Sequence, residues 1–345
     1  MPRIVINTRV LSSPVTGVQR YTAELLARWE GYADSISPKN SLHGLVGHLW
    51  EQVVLPRRLK YRFLFSPSNA GPLAVENQIV TIHDMAVFDC PKAFAPQFEA
   101  FYRFLLPRLV RRVRQIIAVS EFVKTRILFH TNVAPAKVAV IPNGVSPRFS
   151  PTAITGIDVT TAALGLPSRE YVLVVGSLEP RKNLVRLLQA WAQVQRDVSH
   201  DIWLVVAGAG GTSRVFRETH WASLPPRVFM LGHVDDGLLP ALYAGALAMA
   251  YVSIYEGFGL PPLEAMASGT PVLAGNQSSL PEIVGEAGVL VDPFDVESIA
   301  RGMQRVLEDS SLRSELRRLG LSRARQFSWS ETAQRTWDVL QAAAN

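Results

Sequence analysis

Two doubly wound α/β domains are what this sequence predicts, on three observations. Short apolar, β-branched runs alternate with stretches of helical period along the chain. The alternation falls into two blocks, parted by the Pro-, Ser- and Thr-rich segment SPRFSPTAITGID at 146–158, which reads as a linker. And 345 residues exceed one compact core. The expected domains are 1–148 and 165–328, with a final helix at 329–345 packing back on the first.

In the first block RIVINT, QIVTIHD, QIIAVS and VAVIPNGV (138–145) read as buried parallel strands. Helices follow at GVQRYTAELLARW (17–29), APQFEAFYRFLLPRLVRRV and EFVKTRILFH, the last with Ser120 as its N-cap. Between the first helix and WEQVVLP (50–56), the segment GYADSISPKNSLHGLVGH offers no strand, so a smaller first sheet is expected. The second block carries YVLVVGS, DIWLVVAGAG, RVFMLGHV, LAMAYVS, TPVLAG and AGVLVD with helices between them. Ligands of such sheets bind outside the carboxyl ends of the strands, here expected in the cleft between the domains.

Composition excludes several classes. No apolar run approaches 18 residues, so no membrane-spanning helix is expected. MPRIVINTRV opens as a strand and not as a secretion signal. A single cysteine, Cys90, rules out an internal disulfide and a Cys-rich zinc site. A cytoplasmic enzyme fits. The net charge is +6 (35 basic, 29 acidic), and the excess is concentrated in LPRRLKYR (55–62) and YRFLLPRLVRRVRQ (102–115). Such segments either lie on anionic lipid or are solvated helix faces. No nucleic-acid-binding motif accompanies them, so no nucleic-acid partner is expected.

The chemistry concentrates in YEGFGLPPLEAMASGTPVLA, residues 255–274. Gly257 and Gly259 let the backbone approach a ligand. Pro261 and Pro262 suit a helix start, and the amides from Gly259 to Leu263 are expected to face a pyrophosphate. Glu256 would face a sugar and Glu264 a ribose diol; alternatively Glu264 only complements a helix dipole and Glu256 is an ordinary loop residue. VVGSLEPRKNLVRLLQAW (174–191) sets Arg181 and Lys182 at a helix start, against the macrodipole, which an anionic ligand would explain; alternatively they are a pair of solvated surface charges. VVAGAGG (205–211) lacks the G-x-G-x-x-G spacing, which disfavours a nicotinamide enzyme. In the first block VTIHDMAVFDCP (80–91) puts His83 and Asp84 at a strand end. There His83 either meets a substrate hydroxyl or satisfies backbone groups, and Asp84 either caps the next segment or orients an acceptor. SSPVTGVQRY (12–21) opens a helix at Gly17.

Together TGVQRYTAELL, WEQVVLP, HDMAVF, AVSEF, IPNGV, VGSLEPRKN, LGHV and EGFGLPPLE resemble, in order and spacing, the retaining GT-B glycosyltransferases of family 4. The resemblance spans nearly the whole chain and implies two Rossmann-like domains facing a central cleft. It implies that Glu256 contacts the donor hexose and Glu264 the ribose. Arg181 and Lys182 would neutralise the diphosphate, with amides around Gly259 and Leu260. Gly17 and Gly176 would lie by the donor, Gly257 and Phe258 in its loop, and the Val234 backbone at the nucleobase. His83 would sit beside sugar and acceptor, with Asp84 on the acceptor side. One position departs: Ser177 follows Gly176 where many members have Arg, which shifts the task to Arg181.

The resemblance further implies retention by front-face substitution, with no D-x-D motif and no required metal or other cofactor. The donor it points to is GDP-mannose, and the acceptor a glycan or lipid-linked glycan of O-antigen or exopolysaccharide assembly. UDP- or TDP-sugar transfer, nucleotide-sugar 2-epimerisation and a non-enzymatic nucleotide-sugar binder are the alternatives.

Overall fold

The computed structural model describes residues 4–344 except 14, 43, 61, 199–200 and 209–223. It divides into two units, one of residues 1–89, 96–144 and 327–345, the other of 90–95 and 145–326.

The first unit is built on a parallel sheet of β1 (Ile4–Asn7), β2 (Asp34–Ile36), β3 (Phe63–Ser66), β4 (Gln78–Ile82), β5 (Gln115–Ala118) and β6 (Val138–Val140). Its order is β2-β1-β3-β4-β5-β6. The expectation of a smaller first sheet is therefore wrong: among the described residues both sheets have six strands. The missed strand β2 is Asp34-Ser35-Ile36, three residues with one strongly apolar side chain. Its pairing with Val5, Ile6 and Asn7 of β1 makes it a strand, a tertiary effect that no local pattern carries.

The second unit holds β7 (Tyr171–Val175), β8 (Trp203–Ala207), β9 (Val228–Gly232), β10 (Ala248–Tyr251), β11 (Val272–Gly275) and β12 (Gly288–Val291). The order is β12-β11-β10-β7-β8-β9, again parallel. Its core lies where the helices Leu184–Val194 and Val296–Glu308 cover one sheet face. Leu187, Leu188, Trp191, Ile299 and Met303 meet Val172, Leu204, Ala250 and Leu273 there. The supposed linker is a 3-10 turn (Pro151–Gly156) and a helix (Ile157–Leu164) of this unit. Its Thr and Ala content satisfies a helix as readily as a loop once Thr160 and Thr161 are buried.

The last helix, Trp329–Ala344, belongs to the first unit and packs on Gly17–Arg28, with Trp29 and Trp337 rings 5.3 Å apart. Gly144 makes that return possible, because a Cβ there would lie 2.1 Å from the Trp329 nitrogen. No helix among the described residues is long and apolar enough to cross a membrane.

Candidate active site

A doubly wound sheet opens a crevice where the strand order reverses. In the second unit that point lies between β7 and β10, the two central neighbours from which the chain runs outward in opposite directions. Gly176 follows β7 and the Ile254–Phe258 loop follows β10, so the sheet order itself delivers both motifs to one crevice.

Arg181 and Lys182 occupy a 3-10 turn (Pro180–Lys182) one residue ahead of the helix Leu184–Val194. Asn183, in the left-handed region at φ 61°, closes the turn and donates its amide to Val252 O (3.1 Å) and Pro293 O (2.6 Å). The Ile254 N–H donates to Arg181 O at 2.9 Å, which ties the cationic turn to the β10 loop. Lys182 Nζ then lies 2.5 Å from Glu256 Oε1 and 2.7 Å from the Tyr251 hydroxyl, which donates to the same Oε1 at 2.9 Å. Arg181 donates through Nε to Glu179 Oε2 (2.9 Å), and its Nη1 is 3.8 Å from Glu256 Oε2. Ser177 donates to the other oxygen of Glu179 at 2.7 Å, so the residue that departs from the family pattern braces the carboxylate that orients Arg181.

Glu256 is 6% exposed. Burial pushes its carboxyl up, yet the Lys182 and Arg181 charges and the Lys182 and Tyr251 hydrogen bonds outweigh this and hold it below the usual range. Its backbone is pinned as well. Glu256 N donates to Ser278 Oγ at 2.9 Å, and the Ser279 hydroxyl bonds the carbonyls of Glu256 (3.0 Å) and Phe258 (2.8 Å). Gly257 is buried in the same loop.

The helix Leu260–Ala267 starts from Gly259 at φ +108°, a conformation that favours glycine. The expectation of free amides from Gly259 to Leu263 needs correction. Pro261 and Pro262 carry no N–H, and Leu263 N donates to Gly259 O at 3.3 Å. Only the Gly259 and Leu260 amides remain for an anion. Glu264, 5% exposed in the first turns, accepts from the Tyr243 hydroxyl at 3.1 Å. Val234 is buried just beyond β9, after Gly232 at φ +68°. The glycine loop of residues 209–211 lies outside the described residues.

In the first unit the strand order reverses between β1 and β3. His83, after β4, donates from Nε2 to Pro67 O at 2.9 Å. A carbonyl can only accept, so Nε2 carries the proton and Nδ1 the lone pair. Burial lowers the His83 pKa, against the Pro67 carbonyl and the Asp84 charge, which raise it; the net direction is down and the ring is neutral near pH 7. Asp84 Oδ1 caps the following turn through Ala86 N (3.0 Å). Gly17 is the exposed first residue of its helix, behind a Thr16–Gln19 cap. Gly17, His83 and Asp84 thus belong to the first unit and every other candidate to the second.

Four residues with a part in the second-unit site, and one buried carboxylate of the first unit, escaped the sequence reading. Tyr251 had a signal, a phenol closing an aliphatic strand; Glu179, Ser278 and Ser279 had none, since only folding brings them to the loop. The fifth is Glu51, wholly buried on the π-helical turn Trp50–Val54 and bound to Asn7 Nδ2 (2.6 Å) and Arg9 Nη2 (3.3 Å). Burial raises the Glu51 carboxyl, but His48, Arg9 and Asn7 together bring it below its usual value.

Residues 160–322 match the family model of glycosyl transferases group 1, and residues 61–149 match glycosyltransferase family 4. O-antigen chain mannosyltransferase B of Escherichia coli is 30% identical, over 97% of this chain and 98% of that protein. The chain belongs to glycosyltransferase family 4. This glycosyltransferase is also 31% identical to MMP alpha-(1->4)-mannosyltransferase of Mycolicibacterium hassiacum, over 72% of this chain and 59% of that one. Its GT-B fold matches WaaG, a glycosyltransferase involved in lipopolysaccharide biosynthesis, with a TM-score of 0.75 at 15% identity, covering 98% of this chain and 99% of that one. Anabaena Alr3699/HepE in complex with UDP-glucose matches at 0.77 and 18% identity, over 99% and 100%.

Proposed function

We propose that this glycosyltransferase is a retaining mannosyltransferase that moves mannose from GDP-mannose to a glycan or lipid-linked acceptor of O-antigen or exopolysaccharide assembly. The observation that carries the reading is the Arg181–Lys182–Glu256 group beside two unused amides at the crevice of the second sheet. The choice of sugar is supported by the mannosyltransferases among its relatives.

In this reading the diphosphate lies against Arg181, Lys182 and the Gly259 and Leu260 amides, and Glu256 accepts from hexose hydroxyls. The bond from the anomeric carbon to phosphate breaks as the acceptor oxygen adds on the same face. The acceptor proton passes to the leaving phosphate oxygen. Charge grows on that phosphate in the transition state, so donors already aimed at it supply the largest catalytic term. His83, through Nδ1, and Asp84 take the acceptor side. Gly176 lies near the phosphates, Val234 at the base and Glu264 at the ribose. No divalent metal is assigned, and turnover should survive chelation by EDTA.

Calorimetry with GDP, UDP and TDP tests the donor. GDP should bind best, and Glu264→Ala should weaken it about tenfold, the value of about one charge-assisted hydrogen bond. Preference for UDP or TDP would overturn the mannose assignment, and unchanged affinity in Glu264→Ala the ribose assignment.

A lipid-linked acceptor places the enzyme on the cytoplasmic membrane surface, and one face of the first unit suits that. Val46, Leu49 and Val53 are 58, 62 and 45% exposed along one helical stripe that runs into Arg57, Arg58 and Lys60. The His48 ring lies 4.3 Å from that of Phe101, tilted by 42°, which joins this stripe to the helix carrying exposed Phe104 and Arg108. Each cation near anionic lipid contributes about 1 kcal/mol. Co-flotation with phosphatidylglycerol vesicles but not with phosphatidylcholine vesicles is expected; no flotation with either would refute it.

A further inference from the structure

We propose that Glu256 is an internal stand-in for the donor diphosphate, and that Tyr251 is the positioning residue that holds it when Lys182 changes partner. The inference rests on the donor-site reading above and adds how that site is kept before the donor arrives.

Two adjacent cations on one turn, their side chains 13 and 16% exposed, repel each other and are poorly solvated. The structure cancels them. Glu179 takes Arg181 at 2.9 Å and Glu256 takes Lys182 at 2.5 Å, so two positive and two negative groups leave the cluster neutral. An arriving diphosphate therefore does not meet idle cations. It must take Lys182 from Glu256, and the cost of parting that pair is deducted from its affinity.

The three holds on Glu256 are unequal in this exchange. Lys182 can leave on its flexible stem, from a position at the hydroxyl rim of the Tyr251 ring, 5.1 Å from its centroid. The Tyr251 hydroxyl does not depend on Lys182: it accepts from Nζ but donates to Oε1. After Lys182 turns away, that donated bond still fixes one carboxylate oxygen, while Ser278 and Ser279 fix the backbone. Oε1 then has a free acceptor site, and a hexose hydroxyl is what fills it. Diphosphate and sugar thus help each other to bind: the phosphate releases the carboxylate that the sugar uses.

This yields an expectation opposite to that for an ordinary ligand carboxylate. Glu256→Gln, which keeps the shape and removes the charge, should bind the bare nucleoside diphosphate about fivefold tighter than the wild type, because the competitor for Lys182 is gone. The same variant should lose transfer. Tyr251→Phe keeps the ring beside Lys182 and loses only the hydroxyl. It should bind the diphosphate within about twofold of the wild type, hold the donor KM within about threefold, and lose roughly tenfold or more in kcat.

The experiment is calorimetry with whichever of GDP, UDP and TDP the wild type prefers, run on the three proteins at one ionic strength, together with steady-state release of that diphosphate from its sugar donor. Tighter diphosphate binding in Glu256→Gln and a kcat-dominated loss in Tyr251→Phe would establish the exchange. Equal or weaker binding in Glu256→Gln would overturn the stand-in role. Wild-type kcat in Tyr251→Phe, or a loss confined to melting temperature, would overturn the positioning role. A wild type that binds none of the three would instead overturn the donor-site reading, and the exchange with it.

Discussion

Lys182→Ala should cut turnover by about two to three orders of magnitude while changing donor affinity far less, the range seen when one pre-aimed donor to a developing anion is removed. The reason is the pairing of Lys182 with Glu256. Lys182 is already satisfied by Glu256 at 2.5 Å, so moving it to a ground-state diphosphate exchanges one anion for another. In the proposed mechanism the departing phosphate gains charge in the transition state that Glu256 does not match, and the lysine's full value would appear there. Arg181, 3.8 Å from Glu256 and held by Glu179, retains part of the neutralisation and keeps the loss from being total. The variant should also melt lower, because Glu256 is left buried with one weaker cation. Release of nucleoside diphosphate from the sugar donor measures the first effect. A wild-type rate would remove Lys182 from the mechanism.

Gly208→Ala should cost more than about 3 kcal/mol and leave little folded second unit, since a Cβ there overlaps backbone that no rotamer change can move. That Cβ would stand 1.8 Å from Gly176 O and 2.9 Å from Gly176 C. Neither strand end can retreat: Gly176 N donates to Ala207 O at 3.0 Å and Gly208 N to Gly232 O at 2.7 Å, so β7, β8 and β9 are laced together where they end. Gly165→Ala provides the contrast. Gly165 has φ +62° but open space around its missing side chain, so its cost is backbone strain alone, about 1 kcal/mol. Denaturant midpoints of the two variants compare a steric clash with strain. Equal midpoints would show that the β7 and β8 ends are looser than described.

Much of the fold was legible in the residues because buried parallel strands must be apolar on both faces, and runs such as YVLVV and RIVIN are distinguishable without any partner. The opposite case is Asp34-Ser35-Ile36, whose strand state comes from Val5, Ile6 and Asn7 beside it. SPTAITGID shows the same limit, since its residues suit a loop locally and a 3-10 turn and helix once buried against the second unit.

The site divides along the same line. Positions that need a particular backbone or charge, such as Gly259, Pro261, Lys182 and Glu256, carry their signal in residue type and spacing alone. By itself the sequence determined two doubly wound α/β blocks, the loop that follows β10 and the cationic turn that follows β7. Only the tertiary structure decided that β7 and β10 are neighbours at the point where the strand order reverses. That adjacency sets Lys182, Tyr251 and Glu256 within hydrogen-bonding distance although 74 residues separate the first from the last. It also decided that Lys182 already has a partner, because the length of an ion pair depends on how two strands end in space, which no spacing along the chain encodes.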